Sequence, residues 1–298
     1  MSSKQKGILC IILSALCFAF MNVFVRLSGD LPSVQKSFFR NFVAMLFALI
    51  LLAKKRPEIK LNRQSTIDII MRSICGTLGI LCNFYAVDHL VLADASMLNK
   101  MSPFFAVIFS VVLLNEKATK FQWGAIITAF IGCIFILKPS PSQMAFFPAV
   151  IGLLGGMGAG IAYTFVRKLG KQGVPGPFIV FFFSAFSCVV TLPYLILNYH
   201  PMTTHQLCML LLAGLSAAGG QFSITAAYTH APAAEISIYD YSQIIFAAFL
   251  GFVIFGQIPD VLSVIGYIIV CSAAIAVFIY NNKRTCCVNC SFMIEYII

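Results

Sequence analysis

Ser96, Asn99, Lys100 and Pro103 fall at i, i+3, i+4 and i+7, a spacing that puts all four on one face of a helix. The same addresses return 141 residues later as Ser237, Asp240, Tyr241 and Ile244. Both runs are otherwise apolar, and an ionisable side chain inside such a run costs at least about 2.5–3.5 kcal/mol. Lys100 and Asp240 lie about nine and seven residues into their runs, deep for a side chain that snorkels to the surface. Each therefore faces a watery cavity or the other charge. A carboxylate so placed binds an ammonium group or a proton, with Lys100 as its counter-charge when the site is empty. Tyr239 and Tyr241 flank Asp240, and their ring faces suit a cation.

Further polar residues extend this candidate binding set. Asn22 and Tyr163 are mates at the same 141-residue spacing and sit one turn from Arg26 and Arg167. They line a pathway or, more plainly, hydrogen-bond between helices. Arg40, beside Asn41, either binds a carboxylate or a partner such as Asp94, or reaches lipid phosphate at the interface. Asn83 and Gln221 lie near Gly76, Gly79 and Gly220, small residues that let helices approach closely. Gly152, Gly156 and Gly160 form another small-residue face. Pro103 removes a backbone hydrogen bond and is read as a kink or hinge. Asp94 and Glu235 stand near helix starts, where acids complement the helix dipole.

These residues must be held by membrane-spanning helices. The 298 residues are 60% hydrophobic and 10% charged, against about 25% charged in a soluble domain. Ten apolar stretches, near 7–27, 34–53, 67–88, 91–114, 119–138, 146–168, 176–197, 204–228, 233–255 and 260–281, are long enough to cross about 30 Å of hydrocarbon. They lack the two-residue alternation of barrel strands, so they are helices. The first run is too long for a signal-peptide core and reads as an uncleaved helix.

The net charge of +10 encodes orientation. Fifteen of the twenty basic residues fall in loops or helix ends on one side, Arg72 counted among them, and the loops near 139–145 and 198–204 carry none. Both termini are then cytoplasmic by the positive-inside pattern, and nucleic acid is excluded as a partner. Eight of the eleven cysteines lie singly in helices, where Cys packs as a small hydrophobe; Cys286, Cys287 and Cys290 cluster in the tail without a second ligand pair. No metal site or cofactor is expected. The four histidines show no ligand spacing, and no catalytic set stands out, so an intramembrane enzyme is disfavoured, as is a channel.

The 141-residue echo is ungapped over five helices. Phe24-Val25-Arg26 returns as Phe165-Val166-Arg167, His89 as His230, Ala93 as Ala234, and Phe105-Ala106 as Phe246-Ala247. An odd number of spans per unit forces the second unit in from the opposite face, so the halves are inverted. The expected fold is an all-α membrane protein of ten transmembrane helices in two inverted five-helix repeats. Repeat 1 spans 1–138, repeat 2 spans 146–282, and 283–298 is a cytoplasmic tail.

Arg40, Tyr85-Ala86, Ala93-Asp94-Ala95, Pro103, Asn115-Glu116-Lys117, Trp123-Gly124 and Gly132 together resemble the drug/metabolite transporter superfamily, in particular its EamA-type ten-helix carriers. The family's usual glutamate at the end of helix nine is Gln257 here. The resemblance implies export or exchange of small metabolites, amino acids or drugs, often driven by an ion gradient. The expectation is a secondary carrier of small polar or zwitterionic metabolites in the inner membrane, working by alternating access with a proton or other coupling ion, as monomer or homodimer. Efflux of cationic drugs is the alternative.

Overall fold

The computed structural model describes residues 3–58, 61–114, 118–137, 146–230 and 237–295. The first half comprises α1 (Ser3–Leu27), α2 (Ser33–Lys55), α3 (Arg63–His89), α4 (Leu92–Asn99), α5 (Ser102–Leu114) and α6 (Lys120–Leu137). The second comprises α7 (Phe146–Lys171), α8 (Gly176–Leu197), α9 (Thr204–His230), a 3₁₀ turn (Ser237–Tyr241), α10 (Ser242–Phe255) and α11 (Val261–Glu295). Among the described residues nine helical stretches are long and apolar enough to cross a membrane, α4 and α5 counting as one; a further crossing, the ninth in chain order, Tyr239–Phe255, is shorter. The outer surface is apolar, with Leu197, Val261, Ile258 and Ile196 almost bare. Such a surface is stable against lipid and not against water.

Shifting α1, α2, α3, α5 and α6 by 141 residues lands on α7, α8, α9, α10 and α11. The packing obeys the same relation. α1 packs against α9, and its mate α7 against α3; α2 packs against its own mate α8, and α6 against its mate α11. Every one of these pairings joins one half to the other, so the two halves close a single core.

Two contacts establish the inversion. Arg26, at the end of α1, donates to the carbonyls of Leu90 (2.6 Å) and Val87 (3.3 Å) at the end of α3. Lys168, at the end of α7, donates to Asp68 Oδ1 at 2.8 Å near the start of α3. The mates α1 and α7 therefore run in opposite directions along the same neighbour. The protein is an all-α membrane protein of two inverted five-helix repeats.

The fourth crossing differs from the continuous, kinked helix that Pro103 implies. α4 ends at Asn99, Lys100 and Met101 form a turn, and α5 restarts at Ser102. Pro103 sits in the first turn of α5, where its missing N–H and preset φ do no harm. The ninth crossing breaks at the same address, its 3₁₀ turn ending at Tyr241 and α10 starting at Ser242. At the other end of the chain, α11 runs on to Glu295, so helix continues past 282. The joining loop at 139–141, Glu116 and Glu235 lie outside the described residues, as do the side chains of Ser237, Tyr228 and the three tail cysteines.

Candidate substrate-binding cavity

The broken crossings need a platform without side chains in the way. On α7, Gly152 faces Leu98 and Ala86, Gly156 faces the Leu98 carbonyl, and Gly160 faces the Ser102 carbonyl and Phe105. A Cβ at Gly160 would lie 2.7 Å from that carbonyl oxygen, closer than packing allows. The mates on α1 are Ile11, Ala15 and Ala19, all fully buried, and α1 carries α10 and the 3₁₀ turn. On its other side α7 meets α3 backbone to backbone, where a Cβ at Gly158 would sit 2.9 Å from the Cys75 carbonyl.

Between these elements lies a cavity of about 90 Å³. Its wall includes Asn22 from α1, Arg40 from α2, Arg72 and Asn83 from α3, Asn99 and Lys100 at the α4 break, Tyr163 from α7, Gln221 from α9 and Gln243 from α10. Four wall pairs are repeat mates: Phe18 with Ala159, Met21 with Ala162, Asn22 with Tyr163, and Ile80 with Gln221. The cavity thus straddles the pseudo-two-fold relation between the halves, where inverted-repeat carriers build their sites.

Of the residues singled out from sequence, Asn22, Arg40, Asn83, Asn99, Lys100, Tyr163 and Gln221 reach this wall. Asn22 and Asn83 are linked at 3.4 Å, and Asn22 donates on to Ser96 Oγ at 3.4 Å, a weak polar chain across α3, α1 and α4. Tyr163 is the most open member, 40% exposed. Arg40 is not at a lipid interface. It is 2% exposed, and it donates to Asn41 Oδ1 at 2.5 Å. Asn41 in turn donates to Ser187 Oγ (2.8 Å) and Ser37 Oγ (3.1 Å), which fixes the amide that holds the guanidinium. Asp94, offered as a partner for Arg40, instead accepts from the Tyr267 hydroxyl at 2.5 Å.

Asp240 stands behind Lys100 rather than in the wall. Lys100 Nζ donates to Asp240 Oδ2 at 2.5 Å, with both side chains largely buried, and Asp240 Oδ1 has no hydrogen-bond partner. Tyr241 is buried and donates to the Lys100 carbonyl at 3.2 Å, a carbonyl left open by the break after α4. Tyr239 does not join the site. It is 37% exposed and packs edge-on against Phe278 of α11. An aromatic cage around Asp240 is therefore not formed, because one tyrosine turns outward and the other serves the backbone.

Two polar wall residues escaped the sequence reading. Arg72 belongs to the cavity and not to the inner end of its helix: it is 5% exposed, nine residues into α3, with its guanidinium carbon 3.6 Å from the centre of the Phe183 ring. Its Nε and one terminal nitrogen have no hydrogen-bond partner, and neither does Arg40 Nε. The depth of Arg72 within an apolar run was the available signal. Gln243 is the other, the mate of Ser102 one step past the break. Gln257, which departs from the family's glutamate, accepts from the Leu92 N–H at 3.0 Å and so caps α4 from the opposite repeat.

Comparison with known proteins finds named transporters of similar length. The pseudopaline exporter of Pseudomonas aeruginosa is 31% identical over 274 residues, covering 91% of this chain and 95% of the exporter. The S-adenosylmethionine uptake transporter of Rickettsia prowazekii is 24% identical over 94% of each chain. Human solute carrier family 35 member G1 is 26% identical over 85% of this chain and 73% of its own length. A solved crystal structure superposes with a TM-score of 0.67 over 94% of this chain and 99% of that one; at 12% identity it supports the fold alone. The model of the EamA-like transporter family matches twice, over 5–138 and 146–279. With a cavity between inverted repeats and two matches that divide the chain where its echo does, this membrane protein belongs to the EamA-like transporter family.

Proposed function

We propose that this transporter is a secondary active carrier of small polar or zwitterionic metabolites, amino acids and related compounds among them, working by alternating access around the central cavity. The observation that carries the reading is the cavity itself, lined by polar side chains from both halves and spanned by four repeat-related pairs. Rocking one helix bundle against the other around the fixed site exchanges which end of it is shut. Polar clamps stand at both ends of α3. Asp68 binds Lys168 (2.8 Å) and Gln172 (2.9 Å), and Asp88 binds Lys36 (2.6 and 2.7 Å). The 20 residues between these acids span about 30 Å, the thickness of the hydrocarbon core.

Because α7 packs on α3, α4 and α5 while α1 packs on α9 and α10, each rocking body mixes helices of repeat 1 (1–138) and repeat 2 (146–282). Lys100 and Asp240 form the coupling element: a proton taken up by the buried, unpartnered Asp240 Oδ1 releases Lys100 towards the cavity. The named wall residues all come from one chain, and both a monomer and a homodimer are compatible with them. One relative exports its cargo and another takes its cargo up, so kinship leaves direction open. An efflux carrier for cations fits less well, since Arg40 and Arg72 repel a cation.

The test is flux in reconstituted vesicles with and without a pH gradient. Saturable flux that follows the gradient supports the reading. Unsaturable flux marks a channel, and chemical conversion of the cargo marks an enzyme. Orientation in the inner membrane, with both termini cytoplasmic, is tested by cysteines placed at 142, 202 and 60. External reagent should reach the first two and spare the third in intact cells; labelling at 60 overturns the orientation.

A further inference from the structure

The cavity's charge is not balanced. Three cations line it, and Lys100 alone has a carboxylate partner, Asp240. Arg40 and Arg72, on the packed helices α2 and α3, form no ion pair with any described carboxylate. Burying an unpaired guanidinium in a membrane-spanning helix is costly, and such residues mark a pathway or a ligand by default. The cost is held in place by design. Asn41, tied down by Ser37 and Ser187, orients Arg40. Phe183 supports the face of Arg72 and leaves its N–H edge free. A planar fork of N–H donors with open edges matches a carboxylate in two-point contact.

Resting on the carrier reading above, we propose that the cargo carries net negative charge and that a carboxylate group binds between Arg40 and Arg72. The amides of Asn22, Asn83, Asn99 and Gln221 and the Tyr163 hydroxyl then receive the polar body of the molecule. The Lys100–Asp240 pair is neutral as a unit and leaves the site with two positive charges for the cargo to meet.

The full chain, purified in detergent, is tested by thermal melting with succinate, glutamate, glycerol phosphate and tetraethylammonium, each against sodium chloride of equal ionic strength. Succinate or glutamate should raise the melting temperature in a saturable way, glycerol phosphate less, and tetraethylammonium not at all. Arg40→Gln and Arg72→Gln should each raise the apparent Kd for succinate roughly 10- to 100-fold, the loss expected when hydrogen bonds to a charged group are removed. Without ligand both variants should melt at or above the wild-type temperature, because an unpaired buried charge is gone. Arg72→Lys should recover part of the response. A stronger response to glycerol phosphate, abolished in the same variants, would replace the carboxylate with a phosphate and overturn that part of the proposal. Variants that melt lower while keeping the wild-type succinate response would show the arginines to be structural and overturn it entirely. Gradient-driven vesicle flux that is indifferent to cargo charge and to both arginines would overturn the anion site while leaving the carrier reading standing.

Discussion

The fourth and ninth crossings occupy the same address in the two repeats and break at the same place, yet only one of them carries a proline there. In the first repeat the break precedes Pro103, whose absent N–H removes a bond to the turn before it. In the second repeat the equivalent residue is Ile244, which has its N–H, and the crossing still passes from 3₁₀ turn to α-helix after Tyr241. A break that survives without proline belongs to the architecture. What differs is its furniture. The first repeat puts Lys100 at the break and the second puts Tyr241, and each serves the other repeat's needs: Lys100 binds Asp240, and Tyr241 caps the Lys100 carbonyl. The same asymmetry runs through the wall. The mates of the cations Arg40, Arg72 and Lys100 are Phe181, Ala213 and Tyr241. Symmetry of backbone and asymmetry of chemistry together make one binding site out of two copies of a scaffold.

The largest expected effect comes from breaking the cross-repeat ion pair. Asp240→Asn leaves Lys100 buried and unpaired, which costs roughly 3–5 kcal/mol for a fully buried pair and less where water enters. Coupled flux should disappear in an imposed pH gradient while the protein remains in the membrane. Lys100→Met should impair flux, and the double variant should recover the melting temperature but not the coupling. Wild-type flux and pH dependence in Asp240→Asn would make this carboxylate a bystander.

A smaller effect separates the two platforms. Gly156→Ala drives a methyl group into the Leu98 carbonyl and should destabilise by about 1–3 kcal/mol. The repeat mate changed the opposite way, Ala15→Gly, should cost only about 0.5–1 kcal/mol, the helix penalty of glycine. Equal losses in denaturant melts would mean that the platforms are not specialised.

Pro103→Ala should cost less again, since the helix restarts before Pro103 and alanine suits a first turn. Hydrogen exchange should still find the break at Lys100–Met101. Turnover should change more than cargo affinity if the break flexes during transport. A continuous, protected helix through 100–103 in this variant would return the cause to the proline.

The smallest expected effect on transport is that of Tyr241→Phe, which removes one hydrogen bond to the Lys100 carbonyl and should cost about 0.5–1.5 kcal/mol of stability. The mutant should keep its cargo selectivity. A change in selectivity would show that Tyr241 meets cargo directly.

Much of this was legible in the chain because the signals are local or periodic. Apolar run length set the crossings, since lipid admits no unpaired backbone. The 141-residue echo with five crossings per unit forced the inversion by parity alone. The depth of Lys100 and Asp240 in apolar runs foretold a charged pair, because neither charge is stable in hydrocarbon alone. What the tertiary structure decided was the direction in which each side chain looks. Tyr239 and Tyr241 are two residues apart, yet one packs on Phe278 at the rim and the other on a backbone carbonyl in the core. Arg72 reads as an inner-face charge by its place in the chain, and only the packing of α3 against α7 and α8 turns it into the cavity. Periodicity defines which residues share a face; which face looks inward depends on the neighbours that close around it, and those come from the other half of the chain.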